Sequence, residues 1–281
     1  MMKNILLIIF VSLTSGVFAQ SVPTHADGLH EQLISVDLGH GVKQEGVLSL
    51  KIGSKQPTRL AVILPGHPSV VRPVVEGSVM TSSQLSGNFL IRSRRYLIND
   101  SVASLIVDCR SDSGEYCSSS YQASLKRHQD VLKLIQEVKK QFPSIDQVWL
   151  IGTSMGTVSS AFMPTHEANI YSGAIHTASI TEPYSRNSYR ELGDFDYKKL
   201  NIPQVFVHHR DDPCFMTTYS GAKSISDKYQ IPLVTVVGGS GFTGAACKAH
   251  TEHVFKGKEK EVMHVIARII TSGKADQLLI D

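Results

Sequence analysis

The feature that most constrains the fold of this chain is a series of short apolar runs that are rich in Val and Ile. Strands of this kind are buried on both faces, as in a mostly parallel sheet that helices cover on each side. Segments with helical spacing of apolar residues lie between the runs, so strand and helix alternate, which predicts an α/β fold. The runs comprise residues 59–66, 103–109, 147–152, 169–178, 203–209 and 232–239.

Helical patterns and a hairpin complete the predicted order of elements. The helical patterns comprise residues 86–100, 119–142, the small residues after Ser154, 217–229 and 257–273. Before them, residues 33–38 and 45–53 alternate apolar and polar side chains, which predicts an antiparallel hairpin at the N-terminal edge of the sheet. No repeat or linker divides the sequence, so we expect one domain over residues 20–281. Within it, the polar residues 179–199 form either a small cap or a long surface loop.

Charge and composition narrow the class of partner. The 281 residues include 28 Lys and Arg against 25 Asp and Glu, a formal net charge of +3, with no block of like charge. This balance is too small and too scattered to favour nucleic acid or an anionic membrane surface. Hydrophobic residues make up 42% and charged residues 19%, which is typical of a globular chain. We therefore expect neither nucleic acid nor membrane as a partner, and no feature of the sequence sets the oligomeric state.

The first residues have the pattern of a secretory signal peptide. Lys3 precedes an apolar run, and small residues follow it up to Ala19. The run from Ile5 to Leu13 is too short to span a bilayer. We therefore expect residues 1–19 to be a signal peptide, with cleavage after Ala19 and export of a mature protein without a membrane span to a periplasmic or secreted location.

Export favours disulfides between the four cysteines, because thiols pair in an oxidising compartment. Cys109 and Cys117 flank one short loop, which favours a local disulfide, and this leaves Cys214 and Cys247 as the second pair. The alternative left open is a set of unpaired, buried thiols.

Residues 152–156 read Gly-Thr-Ser-Met-Gly, a G-x-S-x-G pattern between an apolar strand and a train of small residues. In a strand-to-helix elbow this pattern turns the serine out at the end of the sheet, and Gly152 and Gly156 keep strand and helix free of colliding side chains. The start of the following helix favours negative charge near Ser154. We therefore interpret Ser154 as a nucleophile; the alternative is a tight structural turn built from small residues.

A serine hydroxyl needs a base, which an acid must orient, and in this architecture acid and base follow the serine in that order. Asp211 and Asp212 come directly after the predicted strand 203–209. We interpret Asp212 as the acid and Asp211 as a solvated neighbour. His250 and His253 follow the last predicted strand, and we prefer His253 as the base because it directly precedes the terminal helical segment.

The attacked carbonyl oxygen needs hydrogen-bond donors. We expect the backbone N–H groups of His67 and Met155 to form this oxyanion hole; the alternative for the loop around His67 is an ordinary turn after a strand. A metal site of His208 and His209, or of His250 and His253, is the alternative. Neither pair has metalloprotease or zinc-finger ligand spacing, and adjacent His208 and His209 would face opposite sides of a strand, so we expect no metal. The proposed chemistry also needs no cofactor.

Four stretches, "LPGHP", "GTSMG", "HHRDDPC" and "HVFKGKE", occur in this order and resemble the α/β-hydrolase family, in particular exported bacterial hydrolases of undefined substrate. The resemblance covers roughly residues 30–275. It implies a triad of Ser154, Asp212 and His253 that cleaves an ester or amide bond of a small-molecule acyl substrate through an acyl-enzyme.

The sequence departs from that family at two places. Val254 replaces the commoner glycine after the histidine, and His67 stands where many members have glycine or an aromatic residue. A disulfide between Cys214 and Cys247 would connect the loops that carry the acid and the base. Two alternatives remain open: an inactive binding protein on the same fold, and a peptidase or acyltransferase that uses the same triad.

Overall fold

The structure is a computed structural model and describes residues 23–183, 192 and 195–281. Its strands are β1 (Leu29–Gly39), β2 (Val42–Lys51), β3 (Arg59–Leu64), β4 (Val74–Glu76), β5 (Val79–Ser82), β6 (Val102–Val107), β7 (Gln147–Thr153), β8 (Gly173–Thr177), β9 (Gln204–His209), β10 (Leu233–Val236) and β11 (Leu279–Ile280). Nine of them form one sheet in the order β1-β2-β6-β3-β7-β8-β9-β10-β11, and β4 pairs with β5 in a separate hairpin.

The predicted α/β fold class is confirmed. Neighbouring strands run parallel from β6 to β11, whereas β1 and β2 are antiparallel and form the expected N-terminal hairpin at one edge. Each of the six apolar runs overlaps one strand of this sheet. The run at residues 169–178 is only half strand, because Ala168–Ile170 form a 3-10 turn before β8.

The helices among the described residues are α1 (Phe89–Arg92), α2 (Ser119–Gln122), α3 (Leu125–Gln141), α4 (Gly156–His166), α5 (Tyr219–Tyr229) and α6 (Glu259–Ser272). The single helix expected over residues 119–142 is divided, because the Ser124 hydroxyl accepts a hydrogen bond from the Arg127 N–H and caps a new helix there.

The helix expected over residues 86–100 is wrong in length. Only α1 and a 3-10 turn at Arg94–Tyr96 form. The Ser93 hydroxyl bonds back to the Phe89 carbonyl at the end of α1. Next to it the buried Arg94 guanidinium reaches the Glu31 carboxylate on β1, with both nitrogen–oxygen distances at 2.7 Å. A serine hydroxyl that bonds to the carbonyl four residues earlier weakens or bends a helix, and the buried ion pair holds the chain after α1 against β1.

Apolar side chains cover both faces of the sheet. On β7, Trp149 and Ile151 pack into the core that Ile266 of α6 shares, whereas Leu150 packs with Leu134 of α3 on the opposite face. This alternation is the period of two that a strand imposes. The sheet is therefore covered by helices on both sides, and its loops are left to form a site at the carboxyl ends of the strands.

Two predicted segments lie wholly or partly outside the described residues. The signal peptide at residues 1–19 lies wholly outside them, and residues 184–191, 193 and 194 of the stretch 179–199 also do. The described end of that stretch belongs to the core, since Tyr197 is buried with its ring centroid 5.4 Å from that of Phe206 on β9. Within the part of the chain that the structure describes, no helix combines the length and the apolar character needed to cross a membrane.

Candidate active site

Ser154 lies directly after the end of β7, and Met155 separates it from the start of α4. Its φ of 51° lies in the left-handed region, which residues other than glycine rarely adopt. The Ser154 N–H donates to the carbonyls of Thr177 and Ala178, both at 3.1 Å, and the Thr157 N–H donates to the Ser154 carbonyl at 2.9 Å. The elbow is thus held by hydrogen bonds on both sides in a conformation that costs free energy.

The two glycines of the elbow permit a close approach of backbone. A Cβ atom on Gly156 would lie 2.0 Å from the carbonyl oxygen of Leu64 at the end of β3. A Cβ atom on Gly152 would lie 2.5 Å from Ser160 Oγ on α4. Both positions therefore exclude a larger residue, which is the steric requirement that the G-x-S-x-G pattern places on them.

The loop after β9 and the loop before α6 bring an acid and a base together. Asp212 Oδ2 lies 3.1 Å from His253 Nδ1, and the two side chains are 0% and 2% exposed. The other carboxylate oxygen of Asp212 accepts a hydrogen bond of 2.8 Å from the Cys214 N–H. By contrast, the Asp211 side chain is 64% exposed, and His250 is also exposed. The geometry therefore favours Asp212 and His253 over the alternative acid and base.

Ser154 and His253 line one cleft, of about 580 Å³, at the carboxyl edge of the sheet. Among the described residues, no hydrogen bond within 3.5 Å joins the Ser154 hydroxyl to the imidazole. His253 Nδ1 is engaged by Asp212, so Nε2 is the nitrogen left to act on a proton in the cleft. Catalytic hydrogen bonds are often longer in the free enzyme than in its complex with substrate. The apolar part of its wall includes Leu85, Phe89, Ile180, Met216 and Val254.

The loop after β3 runs directly beside the serine. A Cβ atom on Gly66 would lie 3.1 Å from Ser154 Cβ, and the next residue, His67, lines the cleft. Within the described part of the chain, the backbone N–H groups of His67 and Met155 donate to no carbonyl and no side chain. Two unpaired amides are therefore available at the edge of the cleft. Burial, and next the charge of Lys248, lower the pKa of the His67 side chain, so this imidazole is neutral at pH 7.

Asp108, directly after β6, fixes this loop, a role that the sequence analysis did not identify. Its buried carboxylate accepts hydrogen bonds from the Val71 N–H at 2.6 Å and the Arg72 N–H at 3.0 Å. It also forms an ion pair with the Arg72 guanidinium at 3.0 Å. The segment that carries His67 is thus tied to the neighbouring strand.

Thr217 is a second residue that the sequence analysis missed. Its hydroxyl lies 2.8 Å from Asp212 Oδ2 and 2.9 Å from His253 Nδ1. No sequence pattern identifies a threonine five residues after the acid as part of the site, because the contact depends on how the loop folds back.

His208 and His209 are each engaged by the backbone. Burial lowers the pKa of His208 to about 4, and its Nε2 accepts a hydrogen bond of 2.8 Å from the Ser179 N–H. His209 Nδ1 accepts from the Asp211 N–H, which leaves its Nε2 to donate to the Gly238 carbonyl at 2.8 Å. Three of the four ring nitrogens of this pair are therefore occupied by hydrogen bonds to the backbone.

Both cysteine pairs form disulfides in the structure. Each disulfide lies next to a loop that carries a candidate residue of the cleft. Cys109 and Cys117 have Cα atoms 5.7 Å apart, and the Cys117 N–H donates to the Pro68 carbonyl beside His67. Cys214 and Cys247 have Cα atoms 4.6 Å apart and join the acid loop to the loop before His253. The bridges thus hold the loops of the amides and of the acid–base pair.

No known protein-family model matches this chain, and no curated protein sequence is significantly similar to it. Solved structures do resemble it. Est1E from Butyrivibrio proteoclasticus is 14% identical, with a TM-score of 0.57 over 85% of this chain and 98% of Est1E. Brefeldin A esterase, described as a bacterial homologue of human hormone sensitive lipase, is 12% identical, with a TM-score of 0.58 over 90% of this chain and 80% of the esterase.

A cold-adapted esterase from an Arctic intertidal metagenomic library is also similar, at 12% identity and a TM-score of 0.51, over 75% of this chain and 86% of that one. At such identities the likeness establishes the fold. Together with the strand order and the elbow, it shows that the chain has the α/β-hydrolase fold, as the sequence resemblance implies.

Proposed function

We propose that this protein is a serine hydrolase that cleaves carboxylic esters of small molecules through an acyl-enzyme on Ser154. The observation that carries the proposal is the buried Asp212–His253 pair, which borders the same cleft as a serine held in a strained elbow. The similar structures are themselves described as esterases, which supports an ester as the substrate.

The reaction follows from the position of each group. His253 Nε2 accepts the Ser154 proton as Oγ attacks the ester carbonyl, and Asp212 stabilises the imidazolium that forms. The amides of His67 and Met155 donate to the oxygen as it becomes negative. The imidazolium then returns the proton to the departing alcohol. Water attacks the acyl-enzyme by the same route in reverse and releases the acid and Ser154.

The cleft favours an apolar acyl group. Leu85, Ile180 and Met216 supply apolar walls, and the carboxylate of Asp212 is fully covered. A cleft of this size accommodates a small molecule rather than a folded partner. The proposed substrates are therefore simple esters with short to medium acyl chains.

The first test is Ser154→Ala with p-nitrophenyl acetate and butyrate. The rate should fall by about 10³ or more, by analogy with other triads, while the circular dichroism spectrum is unchanged. The exposed Ser220→Ala variant is the matched control and should keep the full rate. An undiminished rate in Ser154→Ala would refute the proposal.

A reactivity measurement separates an enzyme from an inactive scaffold. A fluorophosphonate probe should label Ser154 in the parent protein and not in Ser154→Ala, because only an activated hydroxyl attacks phosphorus. Absence of labelling in the parent protein favours the binding-protein alternative. Anilides of the same acyl groups, tested in parallel, distinguish an esterase from a peptidase.

We also propose that the chain is exported and loses residues 1–19. The leader pattern and the two disulfides support an oxidising compartment. N-terminal sequencing of the mature protein tests this; Gln20 as the first residue is expected.

A further inference from the structure

Three polar atoms form a closed triangle behind the cleft. Thr217 Oγ1 lies 2.8 Å from Asp212 Oδ2 and 2.9 Å from His253 Nδ1, while Oδ2 and Nδ1 are 3.1 Å apart. Thr217 is fully buried and does not line the cleft. A substrate in the cleft therefore does not reach it.

Hydrogen-bond chemistry fixes the direction of each contact. An ionised carboxylate only accepts, so the Thr217 hydroxyl donates its hydrogen to Asp212. The threonine oxygen then has only lone pairs to offer His253 Nδ1, and that nitrogen must carry a hydrogen. The Nδ1–H of His253 is shared between Asp212 and Thr217, and Nε2 is left without a hydrogen, as a base requires.

The acid loop in turn fixes Thr217. The Thr217 N–H donates to the Cys214 carbonyl at 3.1 Å, and Cys214 is tied to Cys247 by a disulfide. Asp212 is fully covered, so water cannot replace a lost donor. Without the Thr217 hydroxyl, Oδ2 keeps a single donor, His253, and Nδ1–H keeps a single acceptor.

We propose that Thr217 is a positioning residue for the reaction on Ser154: it holds His253 in the Nδ1–H tautomer and supports the imidazolium. This inference rests on the proposed function. When His253 takes the serine proton it becomes a cation, and its Nδ1–H bonds to Asp212 and Thr217 strengthen. Because the gain arises only as charge develops, it increases kcat and leaves substrate binding unchanged.

The test is a pair of substitutions at this position, assayed with p-nitrophenyl butyrate. Thr217→Val keeps the shape and removes the hydroxyl; kcat should fall about 10- to 100-fold, the range for a lost hydrogen bond to a charged group, with KM within about twofold. Thr217→Ser restores the hydroxyl and should recover most of kcat. The rate of fluorophosphonate labelling of Ser154 should fall and recover in parallel.

Thr251→Val is the matched control for a structural threonine. Thr251 is buried two residues before His253, and its hydroxyl donates to the carbonyls of Ala246 and Lys248 rather than to the acid or the imidazole. This variant should lower the melting temperature without the loss of kcat. If Thr217→Val does not fold, Thr217→Ala takes its place, since it needs no room for a second methyl group.

Two outcomes overturn the inference. One is a folded Thr217→Val or Thr217→Ala variant with the parent kcat. The other is a loss of kcat that Thr217→Ser does not recover, because the threonine would then act through its methyl group. Failure of the proposed function is distinguishable, since Ser154→Ala would then keep the rate.

Discussion

His208 Nε2 accepts a hydrogen bond of 2.8 Å from the backbone N–H of Ser179, so a buried imidazole and a loop amide connect β9 to the elbow. Ser179 follows Ala178, whose φ of 42° is also left-handed and whose carbonyl accepts the Ser154 N–H. Only an imidazole without a proton on Nε2 can accept this bond. The left-handed conformations of Ala178 and of Ser154, which it contacts, therefore depend on a neutral His208.

This dependence predicts a loss of stability in acid. Burial lowers the pKa of His208 to about 4 and that of His176 to about 3, both below the value of an unfolded histidine. The unfolded chain thus binds more protons than the folded one between about pH 6.5 and 4. The free energy of unfolding is therefore highest above about pH 6.5 and decreases as the pH falls through this window. Proton binding to His208 alone should lower it by about 3 kcal/mol.

Urea denaturation at pH 7, 6, 5 and 4 checks this. His208→Gln keeps an acceptor for Ser179 but does not titrate, so its free energy of unfolding should fall less steeply with pH than that of the parent protein. The exposed His30→Gln variant is the control and should reproduce the parent slope. Equal slopes in all three proteins would contradict the assignment.

Gly156 has no room for a side chain. A Cβ atom would lie 2.0 Å from the Leu64 carbonyl oxygen, so in Gly156→Ala the backbone of β3 or α4 must shift. We expect a loss of about 1–3 kcal/mol in the free energy of unfolding, as for other overpacked sites, together with a lower rate on esters. Gly87→Ala is the control, because its Cβ would make an ordinary contact of 3.5 Å with Ala249. Equal stabilities of the two variants would show that the elbow adapts.

The two disulfides should differ in their contribution. They close loops with sequence separations of 8 and 33 residues. Loop-closure entropy then gives about 2.5 kcal/mol for Cys109–Cys117 and about 3.7 kcal/mol for Cys214–Cys247. Replacing both cysteines of a pair by serine, one pair at a time, and measuring unfolding by urea tests the difference. If peptide mapping without reductant found Cys109 bonded to Cys214 or Cys247, the pairing on which this prediction rests would be wrong.

Much of the fold follows from local sequence. Each buried strand is a short apolar run that is recognisable without its neighbours, and Ser154, Asp212 and His253 follow in the order that the fold requires. The structure places Asp212 and His253 in contact and Ser154 on the same cleft. Chain order alone predicts that these three residues share one edge of the sheet, but not the contacts between them.

The remainder depends on contacts between distant residues. The helix expected over residues 86–100 stops at Arg92, and two residues later Arg94 pairs with Glu31, which is 63 positions away. No local propensity contains that contact. Thr217 and Asp108 were missed for the same reason: a threonine or aspartate in a loop has many ordinary roles, and only tertiary geometry shows which group it bonds.

Asp108 holds the loop that carries His67, so a change of this carboxylate should affect kcat. Its two carboxylate oxygens serve the Val71 and Arg72 amides and the Arg72 guanidinium, and an asparagine offers only one acceptor oxygen. In Asp108→Asn the loop that carries His67 should loosen, so one amide of the proposed oxyanion hole should be less well placed. Since that amide acts on developing charge, kcat should fall by about tenfold or more while KM changes little.

An alkyl boronic acid measures the same effect without turnover, since its tetrahedral adduct with Ser154 carries the negative charge that the two amides would bind. Its affinity should fall in Asp108→Asn in proportion to kcat. Asp112→Asn is the control: this carboxylate pairs with Arg110 at 2.8 Å on the same loop and is 48% exposed, so its loss should change neither quantity. If boronate affinity is unchanged in Asp108→Asn while kcat falls, Asp108 does not act through the His67 amide, and this prediction is wrong.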